Sequence, residues 1–226
     1  MDFNVEVKDG KTVRLPTAEK YCDYDIVVTA TSGDSDLAKQ IVERTVVSIT
    51  DSSITKIGDY AFANCKELTD VNFPAVEGES IGSSAFSGDT SLVTADFPKL
   101  GKTGFYMFQN CSSLKNVNMP EVTDLRSNTF NGCSALEKID LPKCKAINGN
   151  VFFNCANLIA VILRSDTVAT LSNINSFDGT PIADGTGYFY VHDSVIDSYK
   201  TATNFSTFAQ FRAIEDYPEI CGEVST

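Results

Sequence analysis

Phenylalanine returns at a nearly fixed interval: Phe62, Phe86, Phe108, Phe130 and Phe152 are separated by 24, 22, 22 and 22 residues. Other columns keep the same step. Six residues after each phenylalanine stands a leucine (Leu68, Leu92, Leu114, Leu136, Leu158). Nine after come Val71, Ala95, Val117, Ile139 and Val161, and eleven after come Phe73, Phe97, Met119, Leu141 and Leu163. Pro74, Pro98, Pro120 and Pro142 follow, until Arg164 breaks the column. Three residues after the phenylalanine stand Cys65, Asp89, Cys111, Cys133 and Cys155. A unit with about seven apolar positions cannot bury them alone; stacked units bury one another's, so the pattern dictates a solenoid. Phe177 opens a degenerate further unit.

Within a unit, a run such as residues 68–73 is too short for a helix and ends at a proline, so it reads as a short strand. The small polar stretch before the phenylalanine, such as Ile147-Asn148-Gly149-Asn150-Val151, reads as a turn or short helical bend. Strand side chains alternate, so the positions flanking the buried Val71 column face outward. One outward column is Asn72, Asp96, Asn118, Asp140 and Ile162; the other is Asp70, Thr94, Asn116, Lys138 and Ala160. Together they form a polar, mildly acidic stripe about five strands wide, ~20 Å by strand spacing.

The run Ile57-Gly58-Asp59-Tyr60-Ala61-Phe62-Ala63-Asn64-Cys65-Lys66-Glu67-Leu68-Thr69-Asp70-Val71-Asn72-Phe73-Pro74 resembles the repeat of the BspA-like leucine-rich repeat family, the bacterial surface-protein branch also typified by Treponema pallidum. The resemblance extends over residues 46–165. It continues into Phe177-Asp178-Gly179-Thr180-Pro181 and Tyr188-Phe189-Tyr190-Val191, which look like the closing segment of such arrays. Asp89 in place of cysteine, Ala95 in place of a larger aliphatic and Arg164 in place of proline depart from it, and two extra residues lie near Gly78-Glu79. The resemblance implies an α/β repeat solenoid. It would be a right-handed array of about five to six units of 22–24 residues, with a β-rich N-terminal cap and a mixed α/β C-terminal cap.

Solenoid ends must be covered, because terminal units expose apolar faces and sheet edges. Residues 1–32 read as an N-terminal β segment. Phe3-Asn4-Val5-Glu6-Val7, Asp9-Gly10 and Thr12-Val13-Arg14-Leu15 make a hairpin with a D-G turn, followed by a strand at 26–29. Residues 33–45 hold a capping helix, with Leu37, Ala38, Ile41 and Val42 on one face, and 31–33 form the hinge. The array takes residues 46–180 and a C-terminal cap takes 181–226. In that cap, 188–191 is a strand, 193–202 a short amphipathic helix carrying Val195, Ile196 and Tyr199, and Phe205, Phe208 and Phe211 mark another helical turn. Residues 215–226 are polar and expected to fray.

Composition narrows function by exclusion. The 226 residues carry a net charge of −12, a poor match for a phosphate backbone, so no nucleic-acid partner is expected. No apolar run approaches the length of a membrane span, and the N-terminus has no hydrophobic signal core. The single histidine, His192, has no nucleophile at a recognised spacing and reads as a surface turn residue. Seven cysteines without a C-x-x-C pair argue against a zinc site and a complete disulfide framework. The cysteine column reads as small core residues rather than as a reactive or metal-binding ladder. Asp89 in that column must find backbone donors or tilt out to water. Phe105 and Tyr106 are expected to pack against Tyr60 or Phe86 of nearby units rather than protrude. No catalytic set, metal cluster or cofactor loop is visible, so neither enzyme activity nor a cofactor is expected.

The outward stripe reads either as a ligand-binding face, which solenoids commonly provide, or as a solvated face kept polar for solubility. Its candidate binding residues are Asp70, Asn72, Thr94, Asp96, Asn116, Asn118, Lys138, Asp140 and Ile162. Ile162 and Ile159 are the sizeable apolar exposures expected there. The resemblance implies a monomeric adhesion module, secreted or on a bacterial cell surface, that recognises a protein or glycan of host matrix or of other bacteria. A second, shorter resemblance exists: residues 10–22 look like the opening of proteins from prophage regions of gut Firmicutes. That likeness implies a structural or host-recognition protein of a phage particle.

Overall fold

The computed structural model describes residues 3–7, 11–15, 48–52 and 54–222. The strand expected at 26–29, the hinge, the helix expected at 33–45 and Cys22 lie outside the described residues, as do the D-G turn and residues 223–226. Strands β1 (Phe3–Val7) and β2 (Lys11–Leu15) pair antiparallel, with Val5 opposite Val13.

The repeats wind into a parallel solenoid. Strands β3 (Ser48–Thr50), β4 (Asp70–Asn72), β6 (Thr94–Asp96) and β8 (Asn116–Asn118) form one piece of its main sheet. Strands β10 (Lys138–Asp140), β12 (Ala160–Leu163), β14 (Tyr188–Val191) and β15 (Phe211–Ala213) form the other. Each neighbour is displaced by one unit, so Val71 aligns with Ala95 and Val117, and Ile139 with Val161 and Phe189. A second line of two-residue strands follows the main sheet round the coil. In it β5 (Glu77–Gly78) pairs with β7 (Lys99–Leu100), and β11 (Ala146–Ile147) lies between β9 (Asp124–Leu125) and β13 (Thr170–Leu171). The extra residues of the first interval fall at β5. Beside it Glu79 meets Lys102 at 2.7 Å and Arg126 at 2.6 Å.

The core is a ladder of rings. Phe62, Phe86, Phe108, Phe130, Phe152 and Phe177 stack at centroid distances of 5.2, 5.5, 5.6, 5.6 and 5.4 Å. Offset stacks of this kind add to the gain from burial alone. Ala95 is the smallest residue of its column, and its own unit and the one before it carry the large rings Phe97 and Phe73, 5.7 Å apart. Volume lost at one column is thus recovered at the next, as close packing requires.

The first five turns each hold two left-handed residues, and the Phe177 turn holds one. One lies two before the ring (Tyr60, Ser84, Tyr106, Asn128, Asn150, φ between 56° and 62°). The other lies two after it: Asn64, Gly88, Asn110, Gly132, Asn154 and Gly179, all at positive φ. The strict Asn/Gly alternation has a packing cause. A Cβ on Gly88, Gly132 or Gly179 would fall 2.5, 2.6 or 2.6 Å from Oδ1 of the asparagine one turn earlier. Asparagine tolerates the conformation and lays its amide over the next turn, where only glycine fits.

The thiols of Cys111, Cys133 and Cys155 are buried and donate to the carbonyls of Phe86, Phe108 and Phe130 at 3.0, 3.1 and 3.1 Å. Burial pushes the Cys111 and Cys133 thiols well above their ordinary range and Cys155 up to about 12. They are packing residues with a polar tether. Cys65 departs from the column: it is half-buried and disulfide-bonded. Asp89 is fully buried and keeps its place by taking backbone donors, its Oδ1 accepting from the Cys65 N–H at 2.7 Å.

The C-terminal end closes the stack with aromatic edges. Asp193–Val195 leads into helix α1 (Ile196–Thr201), whose Tyr199 is buried and accepts a hydrogen bond from the Ala169 N–H at 3.0 Å. Phe189 meets Phe177, Phe205 and Phe208 edge-on at 5.1, 5.5 and 5.4 Å. Two expectations fail here. Phe211 belongs to β15, paired with β14, rather than to a helical turn, because the exposed β14 edge captures it. Residues 215–222 are not an unpacked polar tail: Ile214 and Cys221 are buried, and Pro218–Cys221 forms a single helical turn, α2, against the sheet.

Candidate functional site

Alternation sets the open face of the main sheet. In β4 and β6 the middle residue is buried and both flanking residues are half-exposed. The register brings Asp70, Thr94 and Asn116 into one line and Asn72, Asp96 and Asn118 into the other. Asn118 donates from Nδ2 to Asp96 Oδ1 at 2.7 Å, and Thr69 donates to Asp70 at 2.6 Å.

Between β8 and β10 the main sheet is interrupted; no ladder joins these strands among the described residues. At this break lies a hollow of about 330 Å³, lined by Thr94, Asp96, Asn116, Asn118, Lys138 and Asp140, with Lys115 and Val117. Six of the nine candidate residues therefore meet in one place. Asp70 and Asn72 lie one strand away from β6, on the same face. Lys115 is a lining residue that sequence reasoning missed. It precedes the strand, where alternation makes no statement, and its one visible signal is a positive charge beside the acidic stripe.

Ile162 is the correction. It points to the open face as alternation requires, opposite Asp140 and Tyr190, yet it is 1 % exposed. Ile214, Tyr217, Ile220 and Cys221 lie on Ala160, Ile162, Tyr188 and Tyr190 and cover them. Arg164 holds Asp140 through three hydrogen bonds of 3.0, 3.0 and 2.7 Å and also donates to the Cys221 carbonyl. The break of the proline column at Arg164 was the trace of this anchor.

His192 is partly buried at the start of the 193–195 turn, with Nδ1 2.7 Å from Glu215 and no nucleophile among its hydrogen-bond partners. Phe105 and Tyr106 protrude, at 43 % and 41 % exposure, as does Tyr60 at 55 %. The expected packing against Phe86 fails because the ring column is already filled by Phe86, Phe108 and Phe130. Phe105 instead faces the Arg126 guanidinium at 5.2 Å. No helix of the described residues is long and apolar enough to cross a membrane.

No curated protein sequence matches the chain. Among solved structures, it is similar to a leucine rich cell surface protein from Faecalibacterium prausnitzii A2-165, at 19 % identity over 94 % of this chain and 54 % of that one, with a TM-score of 0.52. It is also similar to a leucine-rich repeat protein from Bacteroides ovatus ATCC 8483 (19 % identity, 74 % and 54 % covered, TM-score 0.42). A third is the T. pallidum leucine rich repeat protein TpLRR (17 % identity, 67 % and 61 % covered, TM-score 0.41). The chain spans between 54 % and 61 % of the length of these solved proteins. The BspA type leucine rich repeat region matches residues 42–181 in six copies. That match covers well over half of the chain, and the same register is visible in the stacked rings, thiols and strands: the chain belongs to the BspA-type leucine-rich repeat family.

Proposed function

We propose that the protein is a non-catalytic recognition module, displayed on a bacterial surface, that binds a protein or glycan of host matrix or of other bacteria through the open face of its main sheet. The observation that carries this reading is the convergence of Thr94, Asp96, Asn116, Asn118, Lys138 and Asp140 on one hollow at the break between β8 and β10. Amides, carboxylates, a hydroxyl and an ammonium in one rigid frame offer both donors and acceptors, and a rigid frame loses little ordering entropy on binding. Surface display is supported by the family and by the similar F. prausnitzii protein, a leucine rich cell surface protein.

The test is a binding screen on immobilised matrix proteins and glycans with the intact chain and an Asp96→Ala/Asn116→Ala/Asn118→Ala variant. The reading expects at least about tenfold weaker capture by the variant at an unchanged melting temperature. Equal capture by both would sink it. Protease shaving of source cells tests display: release of peptides is expected, and recovery only with induced phage particles would overturn it.

A further inference from the structure

The open face is not the same along its length. On β4 and β6 the outward residues are half-exposed, whereas on β12 all four residues are buried. The cover is a short segment of the same chain, and its contacts define a chemistry. The Tyr217 ring stands edge-on to Tyr190 at 5.6 Å. The Arg212 guanidinium lies over both Tyr188 and Tyr217, at 3.4 and 4.6 Å from their centroids. Lys138 donates from Nζ to the Ile220 carbonyl at 2.9 Å, and Arg164 donates to the Cys221 carbonyl. A peptide is thus held by one aromatic side chain and by main-chain carbonyls that end a helical turn.

The attachment is side-chain-based. After Ala213, the backbone hydrogen bonds of the segment are internal: Tyr217 to Ile214, Cys221 to Tyr217 at 3.0 Å, Gly222 to Pro218 at 2.8 Å. No ladder bond ties residues 216–222 to the sheet among the described residues. One helical turn has no stability of its own. Upstream of it Glu215 meets His192 at 2.7 Å and the Asp193 N–H at 3.3 Å, and beyond Glu215 the hydrogen bonds to the sheet come from the Lys138 and Arg164 side chains. Segments joined in this way open locally without unfolding the rest. Lifting residues 216–222 would bare Ala160, Ile162 and Tyr190, an apolar floor continuous with the hollow, because Lys138 and Asp140 belong to both.

We propose that the face over β12, β14 and β15 is a peptide-docking surface and that residues 216–222 occupy it as a displaceable strap. A partner protein's segment takes its place by presenting an aromatic side chain to Tyr190 and Ile162 and main-chain carbonyls to Lys138 and Arg164. The proposal adds a second surface beside the polar hollow. It is tested with the chain's own peptide and no outside ligand, so either reading can fail while the other stands.

The experiment uses the full chain and its Tyr217→Ala variant. Hydrogen exchange should show the amides of Tyr217, Ile220, Cys221 and Gly222 opening at least about a hundredfold faster than those of β12. Tyr217→Ala should speed them further and leave β12 unchanged, which also verifies that the array is folded. A fluorescent peptide of residues 214–222, titrated to millimolar concentration, should bind the variant saturably and the intact chain at least about tenfold more weakly. Adding Lys138→Gln and Arg164→Gln to the variant should abolish that binding. Exchange of the strap only together with β12, no saturable binding to the folded variant, or equal binding to the intact chain would each overturn the proposal.

Discussion

Replacing Asp89 by asparagine isolates the least favourable substitution in the repeat. Each unit from the third to the fifth places a thiol at this position, donating to a phenylalanine carbonyl of the previous turn. Asp89 is fully buried; its Oδ1 accepts from Cys65 at 2.7 Å while its Oδ2 makes no hydrogen bond among the described residues. Burial, opposed only by the Cys65 and Asn64 N–H groups, raises its carboxyl from 3.8 to about 9. The folded chain therefore holds a proton on Asp89 at neutral pH. That proton makes Oδ2 a donor, and in the repeat register the acceptor that corresponds to those of the cysteine thiols is the Phe62 carbonyl. The sign of the linkage follows. A raised pKa means that the favourable state is complete below about pH 4, where both folded and unfolded chains are protonated. Between about pH 4 and pH 9 the unfolded chain releases a proton that the folded chain retains, so stability falls as pH rises. The limiting slope is about 1.4 kcal/mol per pH unit, which from pH 5 to pH 8 gives a ceiling of about 4 kcal/mol. The asparagine of Asp89→Asn would keep an acceptor for the two N–H groups and a permanent donor, without the titration. Urea unfolding at pH 5 and pH 8 gives the answer. The variant should match the intact chain within about 1 kcal/mol at pH 5 and exceed it by roughly 2–4 kcal/mol at pH 8. A stability difference that is independent of pH, or one that favours the native aspartate more at pH 8, would refute the reasoning.

Four further outcomes follow from the same geometry. Phe130→Ala opens a cavity between two stacked rings and should lose ~3–5 kcal/mol, against under ~0.5 kcal/mol for Asn118→Ala on the open face, both by denaturant melts. Gly132→Ala must hold positive φ and press on the Asn110 amide, so a loss of about 2 kcal/mol is expected. Adding Asn110→Gly should recover part of it, and strict additivity in that double-mutant cycle would contradict the packing account. Tyr106→Asn relieves a left-handed aromatic that is 41 % exposed and should raise stability by about 0.5–1 kcal/mol in thermal melts. The Cys111, Cys133 and Cys155 thiols should resist iodoacetamide in the native chain and react at once in denaturant, as their burial requires.

How much of this was legible depended on the range of the interaction. The rings at 62, 86, 108, 130 and 152 sit where a step of one unit places them, because each packs only on its neighbours and the period records that packing directly. The outward columns were legible for the same reason, and Asp70, Thr94 and Asn116 align as alternation demands. The break between β8 and β10 left no trace in the sequence, since both units keep every repeat position and the interruption lies in the fit between them. The Asn/Gly alternation was present in the sequence but explicable only once the left-handed turns put an amide over each glycine.

Ile162 marks the boundary of local reasoning most sharply. Its direction was legible and its environment was not, because direction is a property of the strand and burial is a property of whatever lies above it. The covering residues are Ile214, Tyr217, Ile220 and Cys221, more than fifty residues later and set among Glu215, Asp216 and Glu219. Averaged over that stretch, the acids make it read as a polar tail. Taken by spacing, the apolar residues at three- and four-residue intervals describe one face of a turn, enough to cover two strands and too short to announce a helix. The same fact explains why the strap is a candidate for release. A segment whose apolar content is too small to specify its own structure takes its order from the surface beneath it. A partner able to offer Ile162, Tyr190, Lys138 and Arg164 the same contacts would have only that borrowed order to displace.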